Sequence, residues 1–132
     1  MSDFPVPLER FVRLFNATHY WDSHEELEGA WREGQSDFYQ GLILYASAFV
    51  HVARGNAHGV RAQLGKAQAR LARYRPVYLG LDVELLLEAA GAALAALEEG
   101  RRPVAPALVL ERSRVRGTEP ELKPGAAGPA AG

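Results

Sequence analysis

The sequence predicts an all-α fold, and three observations carry that expectation. Apolar residues recur at steps of three and four, in Leu8, Phe11, Val12 and Phe15 and again in Ala57, Val60, Leu64, Ala67, Leu71 and Tyr74, the spacing of one helical face. The stretches so marked are punctuated at Gly34, Gly55-Asn56, Arg75-Pro76 and Gly100, residue types that close one helix or open the next. Between them, residues 38–52 are apolar nearly all round, which marks a helix buried on most sides. A compact bundle of about five helices over residues 1–110 is expected, with an extended or disordered Pro/Gly/Ala-rich tail over 111–132.

Pro7 suits a first helical position, where a missing amide hydrogen costs nothing, so the first helix is predicted over about 8–17. The second covers about 20–34, with Thr18 or Asp22 serving its free amides and Gly34 at its end. The third runs from Asp37, a good N-cap, to Arg54. Gln40, Ser47 and His51 lie on one line of it, and Gly41 and Ala48 give small surfaces for the close approach of another helix. Gly55 and Asn56 supply a helix end and a helix start in adjacent residues, predicting a tight antiparallel hairpin with a fourth helix over about 57–74. Asp82 caps a fifth over about 83–99, and residues 107–110 are expected to lie extended across the bundle.

Among its 132 residues, 48% are apolar and 23% charged, as in soluble globular proteins. No apolar run approaches the roughly 18 residues that a membrane span needs, and no signal peptide is evident, so a cytoplasmic location is the expectation. The absence of cysteine excludes disulfides, thiolate metal sites and cysteine nucleophiles. The net charge of −1 conceals blocks of −5 over residues 1–40, +6 over 54–75, −5 over 76–100 and +3 beyond. Neighbouring helices are therefore expected to oppose unlike charges at their rims, with a basic groove for an anionic partner as the sharper alternative. Nucleic acid is not expected, because the basic fourth helix has no interleaved aromatics apart from Tyr74. Self-association into a homo-oligomer is plausible for an alanine-rich helical domain of this size.

The chemistry concentrates in the second helix, which sets Trp21, His24, Glu28 and Trp31 along one side. With helices two and three antiparallel, counting outward from Gln35 puts His24 level with Ala46 and Ser47, and His51 about one turn beyond. His24, Glu28 and His51 are then expected to converge as ligands for zinc, iron or manganese. Glu25 is the candidate base for an activated water. Gln40 would hydrogen-bond a substrate, and Tyr20, Trp21 and Trp31 would line the site or pack in the core and rim. The motif is H-E-x-x-E, not the H-E-x-x-H of zinc proteases. The same residues would equally serve as a buried polar network that fixes how helices meet. P-loop, dinucleotide-binding and G-x-S-x-G signatures are absent.

The pattern F-N-x(3)-Y-W-x(2)-H-E-x(2)-E-x(2)-W, followed by F-Y-Q-G-L-I, G-N and R-P-x-Y-L-G-L-D, resembles the small all-helical proteins of bacteria and archaea grouped as domain of unknown function 309. The resemblance covers about Phe11 to Leu97. It implies an all-helical fold and, from the label that family carries, a predicted metal-dependent hydrolase. By position its signature residues here are Asn16, Tyr20, Trp21, His24, Glu25, Glu28, Trp31, Gln40, Gly41 and Asn56; His51 is not among them. The leading expectation is a metal-assisted hydrolase of a small substrate. The rival is a non-enzymatic helical module for a protein or anionic partner.

Overall fold

A computed structural model describes residues 4–111. The chain forms α1 (Val6–Asn16), α2 (Tyr20–Gly34), α3 (Asp37–Ala53) and α4 (Ala57–Leu71), then a single 3-10 turn (Ala72–Tyr74). A small hairpin of β1 (Val77–Tyr78) and β2 (Leu81–Asp82) leads into α5 (Val83–Glu98). Of the tail expected over 111–132, only Glu111 is among the described residues.

Helix α3 forms the middle of the bundle, packed between α2 and α4, because its apolar residues run nearly all round it, and ten of its 17 residues are buried. Its Tyr45 and Phe49 meet Phe15 of α1 at ring centroids 6.0 and 5.9 Å apart, and Tyr20 of α2 closes on Phe15 at 5.1 Å. At the other end of α3, Phe38 packs edge-on against Tyr78 at 4.7 Å and Tyr74 at 5.2 Å. The expected close approach of α4 is found at Gly41, where an added Cβ would lie 2.8 Å from Leu71.

Several helix ends differ from the sequence expectation, each for a local reason. The N-cap of α2 is His19, with no side-chain cap bond; Thr18 adopts a left-handed φ of 67°, and Asp22, already inside the helix, pairs with His19 at 3.6 Å. Helix α2 runs through Gly34, and Gln35 takes the left-handed position, its amide donating to the Trp31 carbonyl. Ser36, not Asp37, caps α3, its hydroxyl oxygen accepting the Tyr39 amide at 3.2 Å. That exchange frees the Asp37 carboxylate for Arg70 and Arg73 of the α4 end, at 2.5 and 2.8 Å. Together with Arg75–Glu84 and Arg10–Glu26, this realises the expected meeting of unlike charges at helix rims.

The hairpin replaces what reads in sequence as a plain connector. Val77 pairs with Asp82 and Tyr78 with Leu81. Leu79 and Gly80 between them both take positive φ, 56° and 81°, as a two-residue hairpin turn requires. A leucine in that conformation is unusual; complete burial of Leu79 anchors it. Beyond α5 the chain does cross the bundle: Leu110 bridges to Leu81, and the Glu111 amide donates to the Gly80 carbonyl. Asn16 fastens this strap. Its carboxamide donates to the Leu108 carbonyl and accepts the Leu108 amide, both at 2.8 Å, imitating one rung of a β-ladder with a side chain.

Candidate metal centre

Helix α2 divides its side chains by angle. Ser23 and Leu27 are fully buried, with the Ser23 hydroxyl donating back to the Tyr20 carbonyl at 2.7 Å. Positions 24 and 28 fall next to that buried stripe, and 21 and 25 on its solvent side. Four-residue spacing stacks His24 and Glu28 along the axis, and this placement makes a site at the rim of the bundle.

There, His24 Nδ1 lies 3.4 Å from Glu25 Oε2, and His24 Nε2 lies 4.0 Å from Glu28 Oε2. The His24 side chain is only 14% exposed, against 51% for Glu25 and 32% for Glu28. The second Glu28 oxygen accepts from Arg32 at 3.2 Å. Trp21 covers the imidazole, its ring 5.0 Å from that of His24 and within 18° of parallel. Of the two tryptophans, Trp31 is partly buried against the core. Trp21 is 53% exposed, so of the two expected placements, lining the site or packing in the core and rim, it takes a position over the cluster at the surface.

His51 does not join this group. Asn56 uses its carboxamide oxygen to cap α4, accepting the Gly59 amide at 3.0 Å. Its NH2 is thereby directed at His51 Nδ1, 3.1 Å away, and that donor requires Nδ1 to be the unprotonated, accepting nitrogen. His51 therefore belongs to the α3–α4 corner. Ser47, one turn earlier, likewise turns to α4 and accepts from Gln63 at 3.1 Å. Gln40, seven residues before Ser47, shares their line. His51 and Ser47 thus meet the start and body of α4, and not α2 as the spacing led one to expect.

What converges is His24, Glu25 and Glu28, one possible ligand atom from each lying within 4.8 Å of the others. Zinc bonds of about 2.0–2.2 Å put tetrahedral ligand atoms about 3.5 Å apart, so modest side-chain rotations would close the group on one ion. The donor set, one imidazole and two carboxylates, suits zinc, iron(II) or manganese. His24 Nδ1 is buried and makes no hydrogen bond, although the Glu25 carboxylate lies 3.4 Å away; a buried ring nitrogen facing a carboxylate without a hydrogen bond fits a metal ligand. The residues present thus fit a divalent ion, with Glu25 in the third position that His51 was expected to fill.

Tyr20, one turn before His24, faces the other way along the bundle. It packs on Phe15 and Phe49 and lines a cavity of ≈ 600 Å³ with Arg102 and Pro103. Burial pushes its phenol up, and the Arg102 charge opposes that shift. Arg102 was not singled out from the sequence, where it is one arginine in a Pro-rich segment; only the strap's return path brings it here.

Fold and site together define a small all-α protein with a histidine–carboxylate cluster on a single helix. Residues 8–63, from α1 into α4, match the family described as "Domain of unknown function (DUF309)". The match contains His24, Glu25 and Glu28 and ends before the R-P-x-Y-L-G-L-D segment. No curated protein and no solved structure matches the chain.

Proposed function

We propose that α2 carries a divalent-cation site used in the hydrolysis of a small substrate. The observation that carries this reading is that one possible ligand atom from each of His24, Glu25 and Glu28 lies within 4.8 Å of the others, and that the buried Nδ1 of the imidazole makes no hydrogen bond. A divalent ion held there supplies Lewis-acid polarisation of a carbonyl or phosphoryl oxygen and acidifies water. Three protein ligands are the number that leaves a position open for substrate. Trp21 holds the imidazole plane by stacking and offers an apolar wall to a bound molecule, while Arg32 holds the outer oxygen of Glu28. Glu25, read from sequence as the base, is better used as the third ligand, because His51 is committed elsewhere.

The test is elemental analysis of purified protein, followed by thermal melts with added zinc or manganese and a screen of activated esters and phosphoesters. Bound metal, a raised Tm and metal-dependent turnover, all lost in His24→Ala with helicity retained, are expected. Glu25→Gln separates its two roles: a ligand weakens metal binding, whereas a base leaves binding intact and removes turnover. No ion and no change in Tm with metal would defeat the reading.

A second reading draws on the exposed indole of Trp21. A half-exposed tryptophan beside charged groups is a common anchor for a protein partner, and the cluster would then be a polar rim. The anionic-partner version is weakened because Asp37 already engages Arg70 and Arg73. No described helix is long and apolar enough to cross a membrane.

A further inference from the structure

At the far end of the bundle from Phe38, two cavities of ≈ 340 and ≈ 600 Å³ lie side by side and share Val52, Arg102 and Pro103 as walls. The shared walls make them adjoining lobes of a groove along the segment that follows α5, which itself supplies part of their lining. Its size is that of a small-molecule site, and Phe49, Val52, Val60, Leu97 and Pro103 make much of the lining apolar. None of His24, Glu25 and Glu28 lines it, so it is separate from the α2 cluster.

Its charge is one-sided. No acidic residue lines either lobe, whereas Arg101 and Arg102 both do. Arg101 is engaged by Glu99. Arg102 has no carboxylate partner among the described residues, and it sits where the lobes join, its charge reaching the Tyr20 phenol. The N-cap Asn56 and the first residue of α4, Ala57, form another wall at the positive end of a helix dipole. The last turns of α3 (Val52, Ala53) and α5 (Leu97) end at the same groove and bring negative dipole ends, so the positive charge rests on the two arginines.

We propose that this groove binds a small amphipathic anion, its carboxylate or phosphate head held by Arg102 and the Tyr20 hydroxyl and its apolar body lying along Val52, Phe49 and Pro103. A guanidinium pairs with either head group through charge-assisted hydrogen bonds, and the apolar lining rejects a purely polar ion.

The experiment titrates the full chain calorimetrically with octanoate, octyl phosphate, octylamine and acetate, all below micelle-forming concentrations. Saturable binding of one octyl anion per chain is expected, with octylamine and acetate each weaker by about tenfold or more. The tighter of the two octyl anions identifies the head group. Arg102→Glu, at an exposed position, should keep the wild-type Tm and lose about tenfold or more in affinity for the anion. Val52→Trp, which fills the junction of the lobes, should abolish binding; should it fail to fold, Arg102→Glu and the octylamine comparison decide alone. Absence of saturable binding by either octyl anion at millimolar concentration overturns the proposal. So does unchanged affinity in Arg102→Glu, or octylamine binding as tightly as octanoate.

Discussion

Two glycines in α4 should respond to the same substitution with opposite sign. In the middle of a helix, alanine is favoured over glycine by about 1 kcal/mol. Gly65 has nothing within 4 Å of an added Cβ, so Gly65→Ala should stabilise the protein by roughly 0.5–1 kcal/mol. At Gly59 the added Cβ would lie 2.6 Å from His51 Cγ and Nδ1 and 2.9 Å from Asn56 Nδ2. The Cγ of His51 is one bond from its own Cβ, so the ring has little freedom to swing away. Overpacking of this kind costs about 1–3 kcal/mol, and displacing Asn56 from its cap costs about 1 kcal/mol more. Against the propensity gain, Gly59→Ala should destabilise by about 2 kcal/mol. The two variants should therefore differ by about 3 kcal/mol, or roughly 12 °C in Tm. Urea denaturation with matched m-values measures the difference. Placing His51→Ala behind Gly59→Ala should recover most of the loss, since coupling is confined to groups in contact. If Gly59→Ala proves as stable as Gly65→Ala, the assignment of His51 to the α3–α4 corner is wrong.

Two further perturbations probe the strap and the core. Asn16→Ala removes both bonds to the Leu108 main chain and should cost about 1–2 kcal/mol; faster hydrogen exchange at Leu108 and earlier proteolysis of residues 101–111 would report it, and unchanged exchange would deny the strap its anchor. Tyr45 is buried with its hydroxyl donating to the Leu86 carbonyl at 2.9 Å, and burial pushes its phenol well above the ordinary value. The raised value stabilises the fold fully below the ordinary phenol pKa of about 10 and is lost as pH rises above it. Tyr45→Phe should thus cost about 1 kcal/mol near pH 8. Its disadvantage should shrink by up to ~1.4 kcal/mol per pH unit above pH ~10, a convergence that denaturation curves at pH 8 and pH 11 would reveal or refute.

Much of the helical scaffold was legible because its signals are local. The three-to-four spacing of Leu8, Phe11, Val12 and Phe15 gave α1, and Gly55-Asn56 gave the α3–α4 corner down to the residue, because a left-handed glycine and an amide cap act within a few residues of themselves. Near misses arose where two caps compete at adjacent positions. Ser36 and Asp37 both suit the start of α3, and what separates them is the distant pull of Arg70 and Arg73 on the aspartate. In the candidate site, His24 with Glu28 followed from spacing within one helix. The third member did not: whether His51 turns to α2 or to α4 depends on a rotation of α3 that sequence periodicity leaves undefined.

The sequence by itself therefore determined the helices, their order, and the histidine and carboxylates that one helix can present on one side. The tertiary structure decided everything that depends on how those helices are rotated and closed. It sent His51 and Ser47 to α4, left Trp21 stacked over His24 at the surface, and made Glu25 the nearest third donor. It also folded the strap back onto Asn16, which brought Arg102 to a cavity beside Tyr20. Helical periodicity is a property of neighbours within about one turn, whereas these placements come from packing between segments far apart in the chain, where one apolar face is satisfied only by a particular partner.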